Sequence, residues 1–242
     1  MVACFAGPTS ILVGFLRRYL AVVVSLILAS ASPARLLTLQ RTGVYPEVRV
    51  SQVDEDRVIA ERERVAGPAS ASDVAGHLAR SKAREVATRP ASNSPSGALV
   101  LGCDSVLEFD GQVHGKPRTA EVARQRWQAM RGHSGVLHTG HCLIELGPEP
   151  RREVSATAVT RVDFADLSDA EIAAYVETGE PLAVAGGFTV DGLGAPYVTS
   201  IEGDYHNVVG ISLPLLRVML AKIGIAWHDL RTAAADSPIA AG

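Results

Sequence analysis

Leu26-Ile-Leu-Ala-Ser-Ala-Ser-Pro-Ala-Arg35 is the stretch whose reading decides the fold. The apolar run over residues 22–29 reads as a buried strand, and a helix begins directly after it. Ser32 suits the N-cap, Pro33 the first helical position and Gly43 the C-cap. A strand that runs straight into a helix N-terminus aims unpaired backbone N–H groups at one spot, and the macrodipole adds partial positive charge there. Such a spot suits an anion, most often a phosphate. Arg35 falls within the first turn, in reach of a bidentate contact to that anion. The same pattern is also ordinary architecture, since most such turns bind nothing.

The 242 residues give room for one large domain or two small lobes about a sizeable core. A net charge of −3, from 23 basic and 26 acidic residues, supplies no field for a nucleic acid polymer or an acidic membrane. Cys4, Cys103 and Cys142 are an odd, widely spaced set that fits neither a disulfide framework nor a zinc cluster, so a reducing cytoplasm is the expected setting. Residues 11–29 are mostly apolar, but Arg17-Arg18 leaves no uncharged span long enough for a transmembrane helix. The small residues after position 28 resemble a signal-peptide cleavage site. Cleavage near Ala31 would remove the strand that the phosphate turn needs. Residues 1–23 therefore read as a dispensable leader, 24–228 as a single domain and 229–242 as a frayed tail.

Downstream, residues 45–53 suggest a strand with Val48, Val50 and, less neatly, Val53 on a buried face. It ends in Asp54-Glu55-Asp56, a trio able to hold a hard cation but more often a solvated turn. Residues 61–72 read as a connector and 73–88 as a helix. Lys82 sits near that helix's apolar stripe, where a lysine snorkels to solvent or reaches into a cleft. Residues 89–97 have loop composition. Residues 98–101 make a central strand with Asp104 at its C-terminal end, the edge where ligands collect in open α/β sheets. Asp110-Gly111 marks a hairpin between 106–109 and 112–114. Gly115-Lys116-Pro117 then sets a lysine on a stiff loop that a phosphate could approach closely.

Thr119 caps a helix whose Ala123, Trp127 and Met130 form a core stripe. Two long strands, 136–146 and 152–164, flank a Gly-Pro-Glu-Pro turn. His133, His138 and His141 fall on a loop and along a strand, which argues against zinc. Ser168-Asp-Ala-Glu171 is a capping box for a helix with Ile172, Tyr175 and Val176 on its apolar side, ending at Gly179. The glycine-rich residues 179–194 imply backbone lying close to a ligand or to other backbone. A strand at 197–201, a polar loop at 202–207 and an amphipathic closing helix at 213–223 complete the chain.

The order of these pieces is itself a signal: Ser-Ala-Ser-Pro-x-Arg, Val-Asp-Glu, Ala-Arg-x-Lys-Ala, Gly-x-Asp-Ser, Asp-Gly-x-x-x-Gly-Lys-Pro and His-Thr-Gly. Leu-Ser-x-x-Glu-Ile-x-x-Tyr-x-x-x-Gly-Glu-Pro, Ala-Gly-x-Phe, Asp-Gly-Leu-Gly and Ile-Glu-Gly-x-x-x-Asn-Val-Val-Gly follow. From about residue 24 to about 225 this closely resembles the Maf family of nucleoside triphosphate pyrophosphatases. The resemblance implies a mixed α/β fold of the Maf/ITPase-like kind, with an elongated central sheet flanked by helices and two lobes with a cleft between them. It implies hydrolysis of a nucleoside triphosphate to the monophosphate and pyrophosphate with a divalent metal cation, Mg²⁺ or Mn²⁺, clearing non-canonical or modified nucleotides. Asp104 then matches the base that activates water, Glu55 with Asp104 the metal carboxylates, Lys82 and Lys116 the phosphate lysines, and Ser30, Ser32 and Arg35 the phosphate turn. A homodimer is a further implication.

Departures from the pattern fall on the base pocket. The arginine pair after Ser-Pro is Ala34-Arg35, the Asp-Lys before Ala-Gly is Ala183-Val184, the later Gln-Gly is Asp191-Gly192, and Ser105 replaces a threonine. Ala34, Ser105 and Asp191 are thus candidates for substrate specificity, and a thymidine or uridine preference does not carry over. A nucleotide-binding regulator of cell division with little turnover is the alternative, and release of pyrophosphate from a panel of triphosphates separates the two.

Overall fold

The computed structural model describes residues 24–89, 97–147 and 151–230. The leader at 1–23, Cys4, most of the 89–97 loop, the tip of the Gly-Pro-Glu-Pro turn and the tail from 231 lie outside the described residues. A seven-stranded mixed sheet runs in the order β2-β1-β3-β5-β6-β7, with β4 pairing to β3. Its strands are β1 (Leu26–Leu28), β2 (Glu47–Val48), β3 (Leu99–Phe109), β4 (Gln112–His114), β5 (Ser134–Glu145), β6 (Glu153–Phe164) and β7 (Val198–Glu202). The helices are α1 (Pro33–Gln40), α2 (Glu55–Ala66), α3 (Ala71–Thr88), α4 (Ala120–Met130), α5 (Asp169–Glu177), α6 (Tyr205–Val209) and α7 (Leu213–Lys222). β1 is parallel to β2 and β3, and every other pairing is antiparallel. No helix among the described residues is long and apolar enough to cross a membrane.

The opening stretch folds as its sequence dictates. Leu26, Ile27 and Leu28 are buried, the Ser32 hydroxyl accepts from the Arg35 N–H, and Pro33 starts α1. The helix ends two residues earlier than Gly43 implied. Arg41 is its C-cap, and Gly43, at φ +80°, closes the turn beyond it.

β3 is the longest surprise. Its apolar start promised a strand ending near Asp104, yet it continues to Phe109, because β5 pairs with it from Leu99 through Glu108. Asp104 therefore lies mid-strand. On the opposite edge β3 is shared: β1 covers residues 99–101 and β4 covers 107–109. After β1 the chain turns away through residues 30–32 into α1, and the tight turn at Asp110 (φ +50°) and Gly111 (φ +69°) returns only three residues of β4. Among the described residues, 102–106 have no strand partner on that side. This gap is the floor of the cleft described below.

One helix closes over the other side of that floor. α3 presents Ala75, Gly76, Ala79 and Ala83 to Gly102 of β3 and Gly140 of β5. A Cβ on Gly140 would overlap the Ala75 carbonyl, and one on Gly102 would fall 2.8 Å from the Ala83 nitrogen. Only glycines permit so close an approach, and it sets Lys82 of α3 above Asp104. Gly140→Ala is expected to cost about 1–3 kcal/mol or more through forced backbone displacement, read as a lowered urea midpoint. An unchanged midpoint would show that α3 does not need this approach.

Two packed ends flank the gap. At one, Leu28, Leu101, Leu143, Leu216 and Met219 pack with α1 and α7. At the other, Leu107, Trp127, Phe164, Ile172 and Tyr175 join α4 and α5 to the sheet. Trp127 sits edge-on to Phe164 (5.6 Å) and Tyr175 (5.5 Å) and donates to the Gly187 carbonyl at 2.8 Å.

Several local expectations are corrected. The 45–53 strand shrinks to Glu47–Val48, and Val48 and Val50 are exposed, because β1 offers only Ile27 and Leu28 as partners. Asp54-Glu55-Asp56 is not a strand-end turn: Asp54 caps α2, and Glu55 and Asp56 occupy its first turn, where the macrodipole favours them. The 61–72 connector is thus helical through Ala66, and α3 begins at Ala71, two residues before the sequence reading, behind a Ser70–Asp73 capping box. The 202–207 loop holds α6, because the Asn207 amide is fully buried and donates to the Leu137 carbonyl and Thr160 Oγ1.

Candidate active site

A cleft of about 960 Å³ opens over the unpaired edge of β3. Ser30, Ser32, Ala34, Arg35, Glu55, Lys82, Asp104, Ser105, Lys116 and Asp191 all line it. They arrive from six parts of the fold: the β1–α1 turn with the first turn of α1, the start of α2, the middle of α3, β3, the loop after β4, and the glycine-rich segment.

The centre is a three-membered charge cluster. Lys82 Nζ donates to Asp104 Oδ1 at 2.5 Å and lies 2.6 Å from Glu55 Oε1. Burial raises the Asp104 carboxyl above its ordinary value, against the pull of Lys82 and Arg35 in the other direction. Glu55 moves the opposite way. Burial works to raise it, but Lys82, Lys116 and Arg118 together outweigh that and hold it below the usual range. Two neighbouring carboxylates with opposed shifts suit two roles, one accepting a proton and one staying charged.

Arg35 does something the sequence did not reveal. Its guanidinium is buried, with Nε donating to the Gly210 carbonyl (2.7 Å), Nη1 to Ser30 Oγ (3.0 Å) and the Cys103 carbonyl (2.8 Å), and Nη2 to Ser105 Oγ (3.0 Å). Four of its N–H donors thus tie the β1–α1 turn, the open edge of β3 and the end of α6 together. Ser105 Oγ also meets Thr139 Oγ1 at 2.9 Å, so this hydroxyl is engaged in positioning Arg35. The turn itself is partly self-satisfied: Ser30 Oγ accepts from the Ser32 N–H and Ser32 Oγ from the Arg35 N–H.

Behind Arg35, His141 holds the chain that presents Gly210. The Ser212 N–H donates to His141 Nε2 at 2.9 Å, and Nδ1 lies 3.0 Å from the Thr139 carbonyl. Burial drives its imidazole down to about 4, which keeps it neutral. His138 pairs with Glu108 at 2.9 Å, and His133 lies against Phe109. Among the described residues no group of three or more His, Cys, Asp or Glu side chains is arranged to hold a metal ion.

The glycine-rich wall is explained by its own packing. Glu180 accepts from Tyr175 Oη, Thr189 Oγ1 and the backbone N–H groups of Leu193 and Gly194, folding residues 189–194 around one carboxylate. A Cβ on Gly192 would strike Glu180, and one on Gly194 would strike the Tyr175 hydroxyl. This loop carries Asp191 to the cleft, where Ala183 and Val184 adjoin it.

Asp56, the last of the acidic trio, also lines the cleft, as does Arg118, which the sequence does not single out. The place of Arg118 two residues after Lys116 was the available signal.

A family model described as Maf-like protein matches residues 25–223. A nucleoside triphosphate pyrophosphatase of Salinispora tropica is 54% identical over 200 residues, covering 83% of this chain and 84% of that one. Proteins of the same description from Streptomyces coelicolor (51% over 211 residues, 87% and 96% covered) and Streptomyces avermitilis (49% over 207 residues, 86% and 94% covered) are similar along comparable lengths.

Proposed function

The chain belongs to the Maf-like family, and from that premise we propose that it hydrolyses a nucleoside triphosphate to the monophosphate and pyrophosphate in this cleft. The observation that carries the reading is Lys82 bridging Glu55 and Asp104 beside the β1–α1 turn.

Attack of water on the α-phosphorus needs a proton acceptor and cations for the charge that spreads onto phosphoryl oxygens. Asp104 is the acceptor: its carboxyl is raised by burial yet still faces cationic groups that favour ionisation. Lys82 holds that carboxylate in place and keeps a positive charge at the reacting centre. Lys116, which also lines the cleft, serves the leaving pyrophosphate, and Ser30, Ser32 and Arg35 shape the turn for a phosphate.

The donor set fits a divalent cation. Glu55 and Asp104 already converge on one positive atom, the Lys82 ammonium. A magnesium-type ion typically takes one or two carboxylates and completes its shell with substrate phosphates and water. Glu55 and Asp104 are the residues that would hold it, and it would supply charge neutralisation at the phosphates.

Non-canonical or modified nucleotides are the proposed substrates, with Ala34, Asp191 and the Ala183-Val184 wall shaping the base end. The buried free thiols of Cys103 and Cys142 support a cytoplasmic setting. A homodimer is the proposed assembly, checked by solution mass.

The protonation argument has a sign. Activity requires ionised Asp104, so kcat/KM falls as pH drops through a pKa raised above the ordinary carboxylate range. Lys82→Met removes a partner that lowers that pKa, so the acid limb is expected to move to higher pH while the maximum falls. An acid limb that stays in place would show that the titrating group is not Asp104. The primary assay is pyrophosphate release from a triphosphate panel with Mg²⁺ or Mn²⁺; release of single phosphate, or none, overturns the assignment.

A further inference from the structure

Four cationic side chains line the cleft: Arg35, Lys82, Lys116 and Arg118. Five acidic ones do as well: Glu55, Asp56, Glu63, Asp104 and Asp191. A triphosphate carries several negative charges, so the cations able to turn towards it matter more than their number. Arg35 is committed to Gly210, Ser30, Cys103 and Ser105, and Lys82 to Glu55 and Asp104. That leaves Lys116 and Arg118.

Arg118 has features that an incidental surface arginine lacks. It adopts φ +66°, a left-handed backbone conformation that is unfavourable for a residue with a side chain and that clusters at binding sites. Its N–H is pinned to the Leu182 carbonyl at 3.1 Å, fixing the loop after β4 to the first turn of the glycine-rich segment. Its guanidinium reaches Asp56 at the start of α2, 3.4 Å away, and its field is felt at Glu55. Both side chains of that pair are largely exposed, at 66% and 77%. An ion pair so long and so hydrated holds weakly, and a polyphosphate offers a bidentate, more highly charged acceptor.

We propose that Arg118 is a substrate-binding residue that exchanges Asp56 for the terminal phosphates of the nucleotide, with Asp56 acting as its placeholder when the cleft is empty. The exchange is one of non-covalent partners only. It rests on the triphosphate reading above and adds to it a phosphate-tail contact alongside Lys116.

The test separates the tail from the rest of the nucleotide. Inorganic pyrophosphate and a nucleoside monophosphate are titrated by calorimetry into the parent protein, Arg118→Ala, Arg118→Lys and Asp56→Asn, with Mg²⁺ present. Arg118→Ala is expected to weaken pyrophosphate binding and raise KM for the triphosphate by about tenfold, the scale of one exposed charge-assisted contact. Monophosphate affinity and the thermal midpoint stay within error, since the side chain is exposed and supports no core. Arg118→Lys recovers part of the loss. Asp56→Asn tightens pyrophosphate binding, because the competing carboxylate charge is gone. Pyrophosphate affinity equal to the parent's in Arg118→Ala overturns the proposal, as does equal weakening for monophosphate. Should the parent release no pyrophosphate from any triphosphate, the hydrolase reading falls. The pyrophosphate titration still judges Arg118 in that case, and a parent that binds no pyrophosphate overturns it.

Discussion

Asp104→Asn is expected to reduce pyrophosphate release by about 10²–10⁴-fold, the range typical of a positioned general base, while triphosphate affinity changes little. Asparagine keeps the shape but cannot take a proton from water at neutral pH. The folded protein should not suffer. Burial already disfavours the carboxylate at this position, and Lys82 retains Glu55 as a partner at 2.6 Å. A thermal midpoint equal to or above the parent's, with turnover gone, is therefore the expected pair of results. Turnover within a few-fold of the parent would remove Asp104 from the reaction, and Glu55 would become the carboxylate to examine.

The second large effect is on stability. Arg35→Lys keeps the charge but replaces a planar five-donor fork with a compact ammonium. The Gly210 and Cys103 carbonyls and the Ser30 and Ser105 hydroxyls are spread over three parts of the fold around the guanidinium, and no single ammonium position reaches all of them. Each stranded buried acceptor costs about 1–3 kcal/mol, so a loss of about 3 kcal/mol or more is expected in urea unfolding, together with much reduced activity. A variant with parental stability and weakened phosphate binding would show instead that Arg35 is chiefly a ligand for phosphate.

Much of this architecture was legible in the chain. Ser32-Pro33 announced a helix start because a hydroxyl cap and a ring-locked φ are local properties. Asp110-Gly111 announced its hairpin for the same kind of reason, as did Ser168–Glu171 its capping box. Asp54-Glu55-Asp56 carried a helix signal too, an aspartate cap with acids in the first turn, which was read as a strand end because the valines before it alternate. Those valines found no partner, since β1 is only three residues long.

By itself, then, the sequence determined the local elements, the apolar stripes of α4 and α5, and the set of polar residues that line one cleft. What each of those residues does was decided by tertiary structure. Asp104 became a cleft residue because β1 and β4 leave the edge of β3 open around it, and that depends on the lengths of two other strands. Lys82 meets it because Gly102 and Gly140, far apart in the chain, let α3 come close. Arg35, a phosphate ligand by position, is a structural tie by contact, since two distant segments bring acceptors to it beside its own turn. Caps and turns are fixed by neighbours a few residues away, whereas burial, charge pairing and open edges are fixed by segments that meet only when the chain has folded.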